Sequence, residues 1–179
     1  MTPAPAAPGV NPKFRLGYTL MKPLILGKVG ASEMDNTERI YEILVIDDNP
    51  ADAAFLKHAW AECKDIRSNV AILADSRDAL RYVRGGNPYH NSAKPDLIML
   101  DYKHPLNGGL ALTEIKGDPE YAHMPVVVLS GSSNPRDYFD AYQRHANICF
   151  RKPMDIDEFI SLVCQVADTW LIKAVLPKR

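Results

Sequence analysis

The sequence has little cysteine, almost no net charge and no long apolar run. Its three cysteines, Cys63, Cys149 and Cys164, are odd in number and widely spaced, which fits neither a disulfide framework nor a zinc-binding pattern. Free thiols in a reducing cytoplasm are the simplest expectation. A formal net charge of -1 argues against a protein held to nucleic acid mainly through phosphates, because that needs a basic stripe. No apolar run approaches the roughly 18 residues that suggest a membrane span. Leu24, Ile25 and Leu26 form too short a run and are flanked by Lys22 and Lys28. The amino terminus, MTPAPAAPGV, has neither the basic start nor the apolar core of a secretory signal. No internal repeat is present.

What is there is a 46% hydrophobic and 24% charged chain of 179 residues, the profile of one globular domain with some extra length. Residues 1–40 are rich in proline and glycine (Pro3, Pro5, Pro8, Gly9) and hold no helical or strand period, so they read as a mobile extension. The domain is expected over 41–176, with 177–179 as a tail. From Glu42, EILVID is a short apolar run ending in acids, the mark of a buried strand. Asn49 and Pro50 open a helix whose buried stripe is predicted to be Phe55, Leu56, Ala59 and Trp60. IRSNVAILA is a second strand; Ser76 is predicted to cap a second helix, which Gly85 and Gly86 end. After a polar loop comes DLIMLD, the third strand, then the short helix LALTEIK, stopped at Gly117. VVVLS is the fourth strand, Asn134 and Pro135 open the next helix, to about His145, and NICFR is the fifth strand. A long last helix is predicted from Asp155 to about Leu176. Strands this apolar have no wet face, and their alternation with helices implies a parallel sheet covered on both sides. Right-handed crossovers leave few arrangements.

Ligands of an open parallel sheet bind at the carboxyl ends of its strands. The first strand ends in Asp47 and Asp48, the third in Asp101 and the fourth in Ser130, and the fifth leads to Lys152. Three carboxylates, a hydroxyl and an ammonium are therefore expected on one edge. Two like charges 4 Å apart repel by roughly 1 kcal/mol in water and about 4 at an effective dielectric of 20. Clustered carboxylates raise one another's pKa unless a cation joins them. A hard cation such as Mg²⁺ fits oxygen ligands, relieves that repulsion and neutralises an incoming phosphoryl group. A carboxylate so placed can act as a nucleophile and become an aspartyl phosphate.

The segments LVIDDNP, DLIMLDYKHPLNGG, PVVVLSGS and FRKPMD occur in the order and spacing of a known family. Residues from about 42 to 176 resemble the receiver domain of bacterial two-component response regulators. The resemblance implies a flavodoxin-like, doubly wound α/β fold with five parallel strands in the order 2-1-3-4-5. It implies that Asp101 is the phosphoacceptor, loaded by a histidine kinase. Mg²⁺ would be held by Asp47, Asp48, Asp101 and the backbone carbonyl of Lys103. Ser130 would be the switch hydroxyl and Lys152 the lysine typical of the family. The last helix, with Trp170 and the terminal VLP, resembles the stand-alone regulators that partner phytochrome-type kinases. The expectation is thus a cytoplasmic single-domain response regulator that signals through protein contacts. A homodimer built partly on the last helix is expected. Direct DNA binding, membrane association and enzymatic turnover beyond its own phosphorylation and dephosphorylation are not.

The sequence departs from the family at the position three residues before Lys152. An aromatic ring is usual there, and Cys149 stands in its place. Phe150 is adjacent, but neighbouring strand residues face opposite ways. Cys149 reads as a packing residue in preference to a redox group, since nothing near it in sequence lowers its pKa. Lys103 either crowds the water that hydrolyses the phosphoryl group or points into solvent. His104, beside Pro105, reads as a loop residue. Taken singly, Asp48 can be a helix cap, Ser130 a turn residue and Lys152 a solvated side chain. Their convergence favours the phosphoacceptor reading. One alternative is a phosphorylation-insensitive pseudo-receiver serving as a dimerisation or interaction module. Another is a phosphatase of the haloacid dehalogenase type, which is disfavoured because Lys103 stands where its second aspartate would be.

Overall fold

Runs of buried aliphatic residues form the three inner strands of the sheet, and the two edge strands are only partly buried. In a computed structural model, which describes residues 39–102 and 108–177, β1 (Ile40–Ile46), β2 (Arg67–Leu73), β3 (Leu97–Asp101), β4 (Val126–Ser130) and β5 (Ile148–Arg151) pair in parallel in the order β2-β1-β3-β4-β5. The helices between and after them are α1 (Pro50–Glu62), α2 (Ser76–Arg84), α3 (Gly108–Gly117), α4 (Pro135–Gln143) and α5 (Ile156–Ala167). This is the doubly wound order that the resemblance implies. The extension proposed for residues 1–40 falls almost wholly outside the described residues.

Alternation along each strand divides the core in two. Ile43 and Val45 of β1 pack with Leu56, Ala59 and Trp60 of α1 and with Phe159 and Val163 of α5. Leu44 and Ile46 face the other way, onto Leu80 and Val83 of α2, Leu112 and Ile115 of α3 and Ala141 of α4. Each aliphatic side chain so buried contributes roughly 1.5–3 kcal/mol relative to exposure. Residues 43–46 are all buried, so β1 cannot slip by one position without exchanging the faces of its whole set.

Helix starts follow local chemistry. The Asn49 side chain accepts the Ala51 N–H at 3.0 Å and Asn134 accepts that of Arg136 at 3.1 Å, each with a proline in the first helical position. At α2 the cap is Asp75, which accepts the Arg77 N–H, and not Ser76 as predicted. Asp75 keeps the extended backbone of a cap, and its negative charge suits a helix amino terminus better than a hydroxyl does. Gly85 ends α2 at φ 66°, a left-handed conformation that glycine adopts without strain.

Three further expectations are corrected. Phe55 is half exposed, and Ala53 completes the buried stripe of α1 in its place. The last helix does not run to Leu176. It is α-helical to Ala167, passes into a π-helical segment, Asp168–Lys173, and is extended at Ala174. The hydroxyl of Tyr41 on β1 donates to the Leu171 carbonyl at 2.7 Å, which satisfies one terminal carbonyl from below. Trp170 and Leu176 fold against the core that contains α1 and α5, leaving Ile172 and Val175 exposed.

The third correction concerns cysteine. Cys63, which caps the end of α1, and Cys164 of α5 are joined in a disulfide with their Cα atoms 5.3 Å apart, and only Cys149 is a free thiol among the described residues. The pair is 101 residues apart in sequence, so no spacing signature announces it; the packing of α1 on α5 brings the two sulfurs together.

Candidate functional site

Parallel pairing brings the carboxyl ends of β1, β3, β4 and β5 to one edge. Asp101 is the last residue of β3 and pairs in register with Leu129, and Ser130, the last of β4, pairs with Arg151. The Lys152 N–H donates to the Ser130 carbonyl at 2.9 Å and so continues that ladder by one step. Lys152 is thereby fixed at the sheet edge with its side chain directed back over β3 and β1.

The Lys152 ammonium donates to three carboxylates. Its Nζ lies 2.8 Å from Asp47 Oδ2, 2.7 Å from Asp52 Oδ2 and 3.0 Å from Asp101 Oδ2. Asp47 is buried, while Lys152 and Asp101 retain a narrow opening to solvent, with side chains 11% and 13% exposed. Asp47 Oδ1 also accepts the Asn49 N–H at 2.9 Å. Burial pushes the Asp47 carboxyl above its usual pKa, partly offset by the hydrogen bond and charge of Lys152 and by the Asn49 N–H, while the Asp101 charge adds to the rise. For Lys152, burial works against the charged form, but the hydrogen bonds to Asp47 and Asp52 and the charges of Asp101 and Asp47 outweigh it, and its pKa is raised.

Asp47, Asp52 and Asp101 each offer an oxygen within 4.8 Å of the others, a hard donor set of the kind Mg²⁺ and Mn²⁺ take. The three carboxylates outnumber the Lys152 ammonium by two charges, which is the charge of one divalent cation. Asp48, expected in this set, is not part of it. Asp48 directly follows buried Asp47 in the bend that leads from β1 to α1, where the path of the turn and not strand alternation sets which acid joins the group. Asp52 takes the third place from the first turn of α1, whose amino terminus opens at the same edge. The sequence carries a signal for it, since an acid in the first turn after a strand lies within reach of the strand tip.

Ser130 is buried, and its Oγ accepts the Ser132 N–H at 3.2 Å, an arrangement that leaves its O–H to donate. Lys103, whose carbonyl was expected among the ligands, lies outside the described residues, as do His104 and Pro105. Cys149 packs on the α2–α4 side of the sheet and Phe150 on the α1–α5 side, so Phe150 does not replace the absent ring. Burial raises the Cys149 thiol pKa, with a smaller opposing effect from Tyr142, which accords with a packing residue. Beside Lys152 lies a cavity of about 300 Å³, lined in part by Asp52, Phe55, Met154, Ile156 and Phe159.

Such a site can hold a hard cation and present a carboxylate to an electrophilic phosphorus, with an ammonium beside the oxygens that gain charge. Comparison with known proteins agrees with this chemistry. The response regulator receiver domain family matches residues 43–164. Response regulator Rcp1 of Synechocystis sp. (strain ATCC 27184 / PCC 6803 / Kazusa) is 31% identical over 136 residues, which cover 75% of this chain and 92% of Rcp1. The phosphorylated cyanobacterial phytochrome response regulator RcpA superposes with a TM-score of 0.73 at 34% identity, over 78% of this chain and 100% of RcpA. The Mn²⁺-bound form of Rcp1 superposes with a TM-score of 0.71 at 30% identity, over 77% of this chain and 99% of Rcp1. In its sheet order, in the residues at its strand tips and in this similarity, the chain belongs to the response regulator receiver-domain family.

Proposed function

We propose that the protein is a single-domain response regulator that accepts a phosphoryl group on Asp101 from a histidine kinase and passes the signal on through protein contacts. The observation that carries this reading is the Lys152 ammonium, within 3.0 Å of carboxylates from the end of β1, the first turn of α1 and the end of β3. An Asp101 oxygen forms a bond to phosphorus as the P–N bond of the donor phosphohistidine breaks. The electron pair stays with the imidazole, which takes up a proton from solvent. Lys152 balances charge on the phosphoryl oxygens, and the Ser130 O–H donates to one of them. Asp47, Asp52 and Asp101 would hold the divalent cation, which shields the carboxylates from the incoming phosphoryl charge. The similarity to an Mn²⁺-bound relative supports a divalent ion at this position, and Mg²⁺ is the proposed physiological one. Similarity to RcpA, a phytochrome response regulator, makes a phytochrome-type kinase the proposed donor.

Homodimerisation through the carboxy-terminal region is proposed from the exposure of Ile172 and Val175. A net charge of -1 supports signalling without direct DNA contact. No helix among the described residues is long and apolar enough to cross a membrane, and the proposed location is the cytoplasm. Turnover is proposed to be limited to the protein's own phosphorylation and dephosphorylation. Cys149, in place of an aromatic ring, favours the second reading, a pseudo-receiver indifferent to phosphate. Incubation with an autophosphorylated histidine kinase and Mg²⁺ separates the two. Label is expected to pass to the wild type and not to Asp101→Asn. Equal labelling of the variant rejects Asp101, and no labelling by any kinase of the organism favours the pseudo-receiver.

A further inference from the structure

Asp101 is followed by Tyr102, whose N–H donates to the Leu129 carbonyl at 2.9 Å. This bond extends the β3–β4 ladder past the acceptor, so Tyr102 moves with Asp101. The Tyr102 hydroxyl donates to Asp140 Oδ2 on α4. Asp140 Oδ2 also accepts from Arg144 Nε at 3.0 Å, and Arg144 Nη1 donates to Thr113 Oγ1 of α3 at 2.7 Å. Thr113 in turn donates to the Gly109 carbonyl at 2.8 Å. A Cβ placed on Gly109 would lie 3.6 Å from both the Tyr102 hydroxyl and Arg144 Nε, so the start of α3 passes directly against this knot. Both flanks of the segment that follows the acceptor are therefore tied, through Tyr102 and through Gly109 and Thr113, to one carboxylate on α4. Next to Asp140 on that helix stand Phe139, 66% exposed, and Tyr142, 50% exposed. Tyr142 reaches β5, where its hydroxyl accepts the Cys149 N–H at 3.1 Å.

Resting on the phosphoacceptor reading above, we propose that the Tyr102–Asp140–Arg144 knot couples the state of Asp101 to the exposed aromatic surface of α4. Tyr102 is a positioning residue in this scheme and touches no reacting atom. A shift of the β3 tip on phosphorylation pulls on Asp140 through the Tyr102 hydroxyl and turns Phe139 and Tyr142 with the helix. Charged hydrogen-bonded groups that act as one unit respond non-additively when cut, which gives the proposal a signature.

Two readouts are taken on wild type, Tyr102→Phe, Asp140→Ala and the double variant, each first shown to have a cooperative melt. The first is phosphoryl incorporation from acetyl phosphate by intact mass. The second is the change in amide hydrogen exchange over residues 135–143 when beryllium fluoride and Mg²⁺ are added. Tyr102→Phe is expected to take up the phosphoryl group as the wild type does and to lose the exchange response of α4. The double variant is expected to lose no more than either single one. A full α4 response in Tyr102→Phe, or additive losses, overturns the coupling and leaves the phosphoacceptor standing. Absence of phosphoryl uptake by the wild type overturns the phosphoacceptor reading itself.

Discussion

Lys152→Met is expected to destabilise the protein by about 3–5 kcal/mol at neutral pH in the presence of a chelator, the usual cost of removing one partner from a buried charge network. The variant leaves Asp47, 1% exposed, facing Asp52 and Asp101 without the ammonium that all three share. Burial already raises the Asp47 pKa, and loss of Lys152 removes the two effects that most oppose the rise. The folded variant therefore binds a proton more readily than its unfolded chain does. Its stability is expected to increase as the pH falls through the raised Asp47 pKa. In the wild type Lys152 gives the same sign, at far higher pH. Its folded pKa lies above the ordinary value of 10.5, so its contribution is complete below that value and is lost as the pH rises through the folded pKa. Divalent cation is expected to return part of the stability to the variant, since it supplies the missing positive charge. Urea unfolding at pH 7 and pH 5, with EDTA or with Mg²⁺, checks the loss of stability in the variant, its pH dependence and the effect of the cation. A variant as stable as the wild type in EDTA would mean that the ammonium does not hold this group together.

Reduction of the Cys63–Cys164 disulfide is expected to be the other large effect. The bond closes a loop of 101 residues, and chain-entropy arguments assign a cross-link of that span roughly 4–5 kcal/mol, acting mainly on the unfolded chain. The unfolding midpoint should fall by a corresponding amount on addition of a phosphine reductant. The double variant Cys63→Ala, Cys164→Ala should show the lower midpoint without reductant and should not respond to it. Thiol titration of the unfolded, unreduced protein should find Cys149 alone. A midpoint indifferent to reductant, with three titratable thiols, would show that the sulfurs are not joined in solution.

The sequence made Asp47, Asp101, Ser130 and Lys152 legible for a single reason. Each stands at or just past the end of an apolar strand, and parallel strands bring such ends to one edge. The alternation of strands and helices implied a parallel sheet, and the strand order came from the resemblance to the receiver family. Asp52 and Asp48 could not be sorted that way, because which acid of the first strand–helix turn faces the site depends on the turn's path and not on strand length. The end of the last helix is not legible because its apolar pattern continues to Leu176, while the Leu171 carbonyl near its end is bonded by Tyr41, far away in sequence on β1. Phe55 has the spacing of a core residue, yet it lines the cavity beside Lys152. The disulfide was illegible because only the packed faces of α1 and α5 define it.

The account depends most on Asp101 taking a phosphoryl group with the help of a divalent cation. Borohydride trapping of the acyl phosphate after incubation with acetyl phosphate, followed by peptide mass spectrometry with and without EDTA, tests it most directly. The expected result is reduction at Asp101 alone, abolished by EDTA and restored by Mg²⁺. Modification at another carboxylate, or at Asp101 but undiminished in EDTA, would contradict it.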